Sequence, residues 1–122
     1  MKLSYINVFV RDLAASVHFY QGVLGLELQF CSPEHGYASF VAGEGLRLGL
    51  AVAGTENIEL VGRHTGVGFE VHDLVAAYDR LESLGARFTM PPTRQPWGAF
   101  MAILADPDGN AFYLDQATAP PH

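Results

Sequence analysis

The sequence predicts an α+β fold in which two tandem β-α-β-β-β units pair into a curved mixed sheet around a cavity, with helices on the outside. Strand-length segments alternate between apolar and other residues. Two apolar stripes with helical spacing each follow an aspartate. The same order occurs twice, since residues 10–13 (Val-Arg-Asp-Leu) match residues 71–74 (Val-His-Asp-Leu) 61 positions later. These observations indicate a duplicated unit.

The first unit spans about residues 3–53. Its opening strand has one apolar face and a second face formed by Tyr5, Asn7 and Phe9. Asp12 is expected to begin the helix, because its carboxylate can accept hydrogen bonds from free backbone amides. Three further strands are predicted at residues 26–30, 37–41 and 46–52.

The second unit spans about residues 66–117, after a polar connector at about 54–65. A strand at 67–71 is followed by a helix that begins after Asp73 and ends at Gly85. A short strand is predicted at 87–89, and the proline-rich residues 91–96 are predicted to form a loop. The Asp-Pro-Asp-Gly turn at 106–109 should join strands at 99–104 and 111–115 as a hairpin.

Composition limits the classes of function. The 122 residues are 49% hydrophobic and suit a single globular domain over residues 1–122. A net charge of −6 argues against nucleic acid as a partner, because few cations are available for phosphates. Cys31 is the only cysteine, so an internal disulfide is impossible. No segment has the length and hydropathy of a membrane span, and a cytoplasmic protein is expected.

One β-α-β-β-β unit cannot cover both faces of its own sheet. The two inner faces are therefore expected to enclose a shared cavity, which is the default ligand site. The helices should cover the outer faces, where the strictly apolar residues of the strands lie.

Three motifs resemble the vicinal oxygen chelate superfamily, which includes glyoxalase I, extradiol dioxygenases and bleomycin-resistance proteins: residues 10–26, residues 69–74 and the Asp-Pro-Asp-Gly-Asn turn. The resemblance covers essentially the whole chain and implies a homodimer. Members that use a metal take one ligand from the first and one from the last strand of each unit. Carried onto this sequence, those positions are Tyr5, Gly49, Gly66 and Tyr113.

Relatives that hold a metal place His, Gln or Glu at these positions, whereas this chain has two tyrosines and two glycines. Glycine offers no side-chain ligand. The phenol of tyrosine, whose pKa is about 10, is a poor metal ligand. The glycines are expected to leave volume, and the tyrosines to supply flat surface with a polar tip. We therefore expect a pocket for a bulky organic ligand, with no cofactor.

Other side chains are predicted to face the same cavity. Trp97 is the strongest single candidate for ligand contact, because a tryptophan beside a proline-rich loop can wall a pocket. The inward carboxylates could hold a cation, act as a base, be solvated or pair with Arg47. The candidates for ligand contact besides the four metal-equivalent positions are Asn7, Phe9, His35, Tyr37, Arg47, Glu70, Trp97 and Asp115.

Two principal functions remain open. The first is a metal-free protein that sequesters an aromatic or cationic organic molecule. The alternative is a divalent-metal-dependent lyase, isomerase or dioxygenase, in which His64, Glu70 or Asp115 replaces a missing ligand and Glu70 is a weak candidate for a catalytic base. His64 shares a face with Gly66 only if the strand reaches that far; otherwise it is a solvated connector residue. A third hypothesis is that the protein is a partner subunit that binds no ligand.

Overall fold

Each predicted unit forms a four-stranded mixed sheet with one helical segment. The structure, a computed structural model, describes residues 1–118. The elements of the first unit are β1 (Tyr5–Val10), α1 (Leu13–Val17), β2 (Glu27–Ser32), β3 (Tyr37–Gly43) and β4 (Leu46–Val52). Those of the second are β5 (His64–Val71), α2 (Leu74–Ser83), β6 (Arg87–Arg94), β7 (Phe100–Ala105) and β8 (Ala111–Gln116).

The two sheets have the same topology. The strand order is β1-β4-β3-β2 in the first and β5-β8-β7-β6 in the second. In each sheet the first and last strands of the unit pair in parallel, and the other neighbours are antiparallel. The α+β fold and the duplicated β-α-β-β-β unit are therefore confirmed. The pairing of the two sheets around a cavity stays a prediction.

The described chain divides into two compact units, one comprising Met1–Arg63 with Pro107–Asn110, the other His64–Asp106 with residues 111–118. Buried Asn110 ties the turn to the first unit, since its Nδ2 donates to the Phe9 carbonyl at 2.9 Å. Its Oδ1 accepts from the Gly62 amide at 2.8 Å. The side chain of Asn110 thus holds the turn against the end of β1.

Alternation along the strands gives each sheet a buried core face and a second, more exposed face, which is called the inner face. Val8 and Val10 of β1 are buried, whereas Tyr5 and Asn7 are exposed. In β8, Phe112 and Leu114 are buried under α2, and the intervening residues are only partly covered. Both predicted helix starts are confirmed: the Ala15 amide donates to Asp12 at 3.1 Å, and the Ala76 amide donates to Asp73 at 3.2 Å.

The helical segments of the two units differ in one respect. After α1 the first unit continues as a π-helical turn, His18–Val23, and the Leu24 amide donates to the Phe19 carbonyl five residues back. In the second unit the Leu84 amide donates to the Arg80 carbonyl, four residues back. A π-turn accommodates one more residue than the corresponding α-helical turn.

The connector was predicted at about residues 54–65, and β5 begins at His64. The prediction of a loop after the short strand at 87–89 is wrong. Residues 91–96 were predicted to be a loop, yet β6 continues to Arg94 and contains Pro91 and Pro92. β6 is an edge strand with register shifts around Met90, and prolines are tolerated there because an edge strand has backbone amides that need no partner. No helix within residues 1–118 is both long and apolar enough to cross a bilayer.

Candidate functional site

The inner face of the second sheet carries a cleft of about 420 Å³. It lies over the β7–β8 hairpin, where Met101 pairs with Asp115 and Ile103 with Tyr113. Because paired residues in antiparallel strands project to the same side of a sheet, these four side chains form the floor. The remaining lining residues come from β6 and the loop after it: Met90, Gln95, Trp97 and Ala99.

Trp97 stands at the edge of this cleft in a hydrogen-bonded loop. The Gln95 amide donates to the Ala99 carbonyl at 2.7 Å, and the Gly98 amide donates to the Gln95 carbonyl at 2.9 Å. The indole is 73% exposed, so a large aromatic surface remains available for a ligand. Such a surface can stack on a planar or cationic group.

Asp115 is the charged group of the cleft. Its carboxylate leans over Gly68, where a Cβ atom would lie 3.6 Å from Oδ2. Its Oδ1 is buried and has no hydrogen-bond partner among residues 1–118. Burial raises the pKa of Asp115 above its ordinary value of 3.8, and the negative charge of Glu70, its register partner on β5, raises the pKa further.

Tyr113 packs against His64, with their ring centres 4.4 Å apart. The strand does reach His64, which is exposed at the start of β5, and its Nδ1 accepts from the Gly66 amide at 3.0 Å. Gly66 has a φ of +74° within a register shift of β5. Glycine adopts this positive φ without strain, so the backbone conformation alone explains glycine at this predicted metal-equivalent position.

The inner face of the first sheet does not have the space that was expected at Gly49. The Tyr37 hydroxyl donates to Asn7 Oδ1 at 2.8 Å. Both atoms lie where a side chain at Gly49 would begin, so a Cβ atom there would overlap them. The expectation that Gly49 leaves volume is therefore wrong, because two neighbouring side chains fill that space.

The other candidates of the first unit occupy separate places. The Arg47 guanidinium lies 5.9 Å from the centre of the exposed Tyr5 ring. Phe9 is partly buried near the end of β1. His35 is exposed in a short 3-10 turn and hydrogen-bonds through Nδ1 to the Ser32 hydroxyl at 2.7 Å. Ligand contact by His35 stays a prediction.

Comparison with known proteins decides the family. A sequence profile of the Glyoxalase/Bleomycin resistance protein/Dioxygenase superfamily matches residues 2–114. The chain belongs to this superfamily. None of the curated proteins matches it significantly in sequence.

Solved members of the glyoxalase/bleomycin-resistance superfamily share the fold over nearly their whole length. A member from Sphaerobacter thermophilus is 28% identical with a TM-score of 0.83, and the match covers 96% of this chain and 98% of the other. TnmS3, an antibiotic binding protein from a Streptomyces species, is 26% identical with a TM-score of 0.81, with 97% of both chains covered. A lactoylglutathione lyase from Agrobacterium tumefaciens is 23% identical with a TM-score of 0.76, covers 95% of this chain and 93% of its own, and shows the fold alone.

The donor groups of this superfamily member do not fit a divalent metal. Tyrosine and glycine occupy the four positions that the sequence resemblance predicts to be equivalent to metal ligands. Among the side chains of residues 1–118, no three from His, Cys, Asp and Glu lie together in a way that could hold a metal ion. His64 instead contacts Tyr113, while Glu70 and Asp115 lie side by side as two carboxylates.

The structure brings Trp97, Tyr113 and Asp115 of the predicted set into one cleft. Sequence reasoning missed Met90, Gln95, Ala99, Met101 and Ile103. Met101 and Ile103 could have been found, because the predicted hairpin and its alternation place them on the same face as Tyr113. Met90 could not, since its orientation depends on the irregular register of β6.

Proposed function

We propose that this protein binds, without a metal, a small organic molecule that has an aromatic ring and a positive charge, in the cleft of the second unit. One observation carries the proposal. Asp115, whose Oδ1 is buried without a partner among residues 1–118, lines a cleft whose edge is the exposed indole of Trp97.

A buried acceptor without a hydrogen bond costs about 1–3 kcal/mol, and more when the group is charged. A ligand with an ammonium or protonated ring nitrogen would supply the missing donor and offset the charge that Asp115 shares with Glu70. The methionines and Ile103 offer apolar, adaptable walls, and Trp97 and Tyr113 offer ring faces. A planar cation matches both properties of the cleft.

The relatives support a binding function of this kind. TnmS3, which shares the fold and is 26% identical, is an antibiotic binding protein. By analogy, the ligand of this chain would be a planar metabolite or antibiotic that the protein sequesters. We also propose that the protein is a homodimer, which sedimentation equilibrium of the purified chain would test.

The test compares two acridines in titration calorimetry at pH 7.5. The 9-aminoacridine cation should bind, and neutral acridine, which has the same ring system, should bind at least about tenfold more weakly, the equivalent of about 1.4 kcal/mol. Asp115→Asn should weaken 9-aminoacridine about tenfold and leave acridine unchanged. Trp97→Ala should weaken both, because the stacking surface is lost.

The matched control is Asp79→Asn, which removes an exposed carboxylate from α2 and should change neither affinity. Equal binding of the two acridines, or equal effects of Asp115→Asn and Asp79→Asn, would contradict the proposed charge recognition. Prior treatment with EDTA should leave binding unchanged. Loss of binding after EDTA, restored by a divalent metal, would contradict metal-free function.

A further inference from the structure

A second cleft, of about 330 Å³, lies in the first unit where β1 and β4 begin. The two strands are parallel, with Tyr5 paired to Arg47, so their first residues share one edge of the sheet. β3 ends at the same edge, since Gly43 pairs with Leu46. The Arg47 amide donates to the Ser4 carbonyl at 3.1 Å, which extends the pairing to the residues before β1.

The polar lining of this cleft consists of donors. The polar residues that line it are Lys2, Ser4, Gln29 and Arg47, all of whose side chains can donate hydrogen bonds, and Gly43 and Gly45 of the turn between β3 and β4 line it as well. The chain has only seven Lys and Arg residues, and two of them line this one cleft. Neither forms an ion pair within residues 1–118. A concentration of uncompensated positive charge is unusual in a chain with a net charge of −6.

Neighbouring contacts hold these donors toward the cleft. The Lys2 ammonium lies over the turn, 3.9 Å from where a Cβ atom of Gly45 would be. Arg47 lies against the Tyr5 ring, which restricts its guanidinium. The Ser39 hydroxyl donates to Gln29 Oε1 at 3.1 Å, so the Gln29 amide nitrogen remains available as a donor.

Two carboxylates lie near in the chain without neutralising the cleft. Glu44 is in the turn itself, and Glu27 pairs with Val41, which in turn pairs with Arg47. Neither of the two side chains lines the cleft. An ammonium and a planar guanidinium lining one small cleft match a group with several acceptor oxygens.

We propose that this basic cleft, formed by Lys2, Ser4, Gln29 and Arg47 with the Gly43–Gly45 backbone, binds a small oxyanion, the phosphate or carboxylate group of a metabolite. The proposal does not rest on the proposed function, because the residues belong to the first unit and share no side chain with the aromatic cleft. It assigns roles to Lys2, Ser4 and Gln29, which had no predicted function.

The experiment is an NMR titration of ¹⁵N-labelled protein with inorganic phosphate, and separately with acetate, at constant ionic strength held by sodium chloride. Phosphate or acetate should produce saturable shifts of the Gly43, Gly45 and Arg47 amides. Lys2→Gln and Arg47→Gln should each weaken binding about tenfold or more, because each removes a charge-assisted hydrogen bond. Arg47→Lys should recover part of the affinity, since it retains the charge but not the planar fork.

The matched control is Arg87→Gln, which removes an exposed cation from β6 of the second unit and should leave the shifts unchanged. Both basic side chains of the cleft are exposed, so their variants should keep the wild-type spectrum elsewhere. Linear shifts with both probes, or shifts in the two glutamine variants that match those of the wild type, would overturn the proposal. Unchanged 9-aminoacridine affinity in Lys2→Gln would confirm that the two clefts are separate.

Discussion

Gly49→Ala should destabilise the protein although it adds a single methyl group to the middle of a strand. Its Cβ atom would overlap the Tyr37 hydroxyl and Asn7 Oδ1, so the Tyr37–Asn7 hydrogen bond must break or the ring must move. Overpacking of this kind costs about 1–3 kcal/mol, and loss of the hydrogen bond contributes about 0.5–1.5 kcal/mol within that range. Alanine also restricts the conformations of the unfolded chain, which raises the free energy of unfolding by about 0.5–1 kcal/mol and partly offsets this loss.

The net expectation is a free energy of unfolding lower by about 1–2 kcal/mol, or a Tm lower by about 4–8 °C for a chain of this size. Urea unfolding followed by circular dichroism measures the change, with calorimetry for the Tm. In a Tyr37→Ala background the same substitution should cost less, because the ring is gone and the Asn7 side chain, no longer held by the Tyr37 hydroxyl, can rotate away from position 49. The two substitutions should therefore show a coupling free energy of about 1–2 kcal/mol.

Gly68→Ala is the internal control. Gly68 lies in the second sheet, and a Cβ atom there would be 3.6 Å from Asp115 and 3.7 Å from Tyr113, which is ordinary contact. This variant should be at least as stable as the wild type. If Gly49→Ala and Gly68→Ala have the same stability, or if Tyr37→Ala fails to relieve Gly49→Ala, the steric argument is refuted.

Two further predictions concern buried polar groups. Asn110→Ala should lower the free energy of unfolding by about 2–4 kcal/mol, because the Phe9 carbonyl and Gly62 amide each lose a partner; a loss below about 1 kcal/mol in urea unfolding would contradict this. For Asp115 the folded-state pKa is raised above 3.8, so its ionisation costs more in the folded than in the unfolded protein. The stability of the wild type relative to Asp115→Asn should therefore be greatest below 3.8 and fall as the pH rises through the raised pKa. Calorimetric Tm differences between about pH 3 and pH 8 test this sign, and a difference that is constant or grows with pH would contradict it.

Much of the fold could be predicted because its signals are local. Alternation of apolar and other residues along β1, β4 and β8 indicates which face of each strand is buried, and the burial in the sheets agrees with it. Asp12 and Asp73 report helix starts for an equally local reason, since each side chain bonds to an amide three residues on. The path of β6 could not be predicted, because only its position at the sheet edge makes two prolines compatible with a strand.

The candidate site was harder to predict, because the free volume at a residue depends on the side chains that surround it in the folded protein. Glycine at position 49 indicates a missing side chain, but the sequence does not show that Tyr37 reaches across from β3 to fill the gap. Gly66 has a φ of +74°, which explains why glycine is at this position, but the sequence does not show that conformation. Trp97, Tyr113 and Asp115 of the predicted set line one cleft, since a hairpin and an adjoining loop keep nearby residues together, and their contact with a ligand stays a prediction.

The π-turn after α1 accounts for the first change in the shift that aligns the two halves, from 61 positions at Asp12 and Asp73 to 60 at Gly25 and Gly85. Gly25 lies 13 positions after Asp12, whereas Gly85 lies 12 positions after Asp73. The surplus residue is absorbed where the Leu24 amide bonds five residues back, before β2 begins. Equivalent residues of the two halves are therefore matched better through strand pairing than through a constant shift. Asn7 pairs with Gly49 in the first sheet, and the corresponding pair in the second sheet is Gly68 with Tyr113.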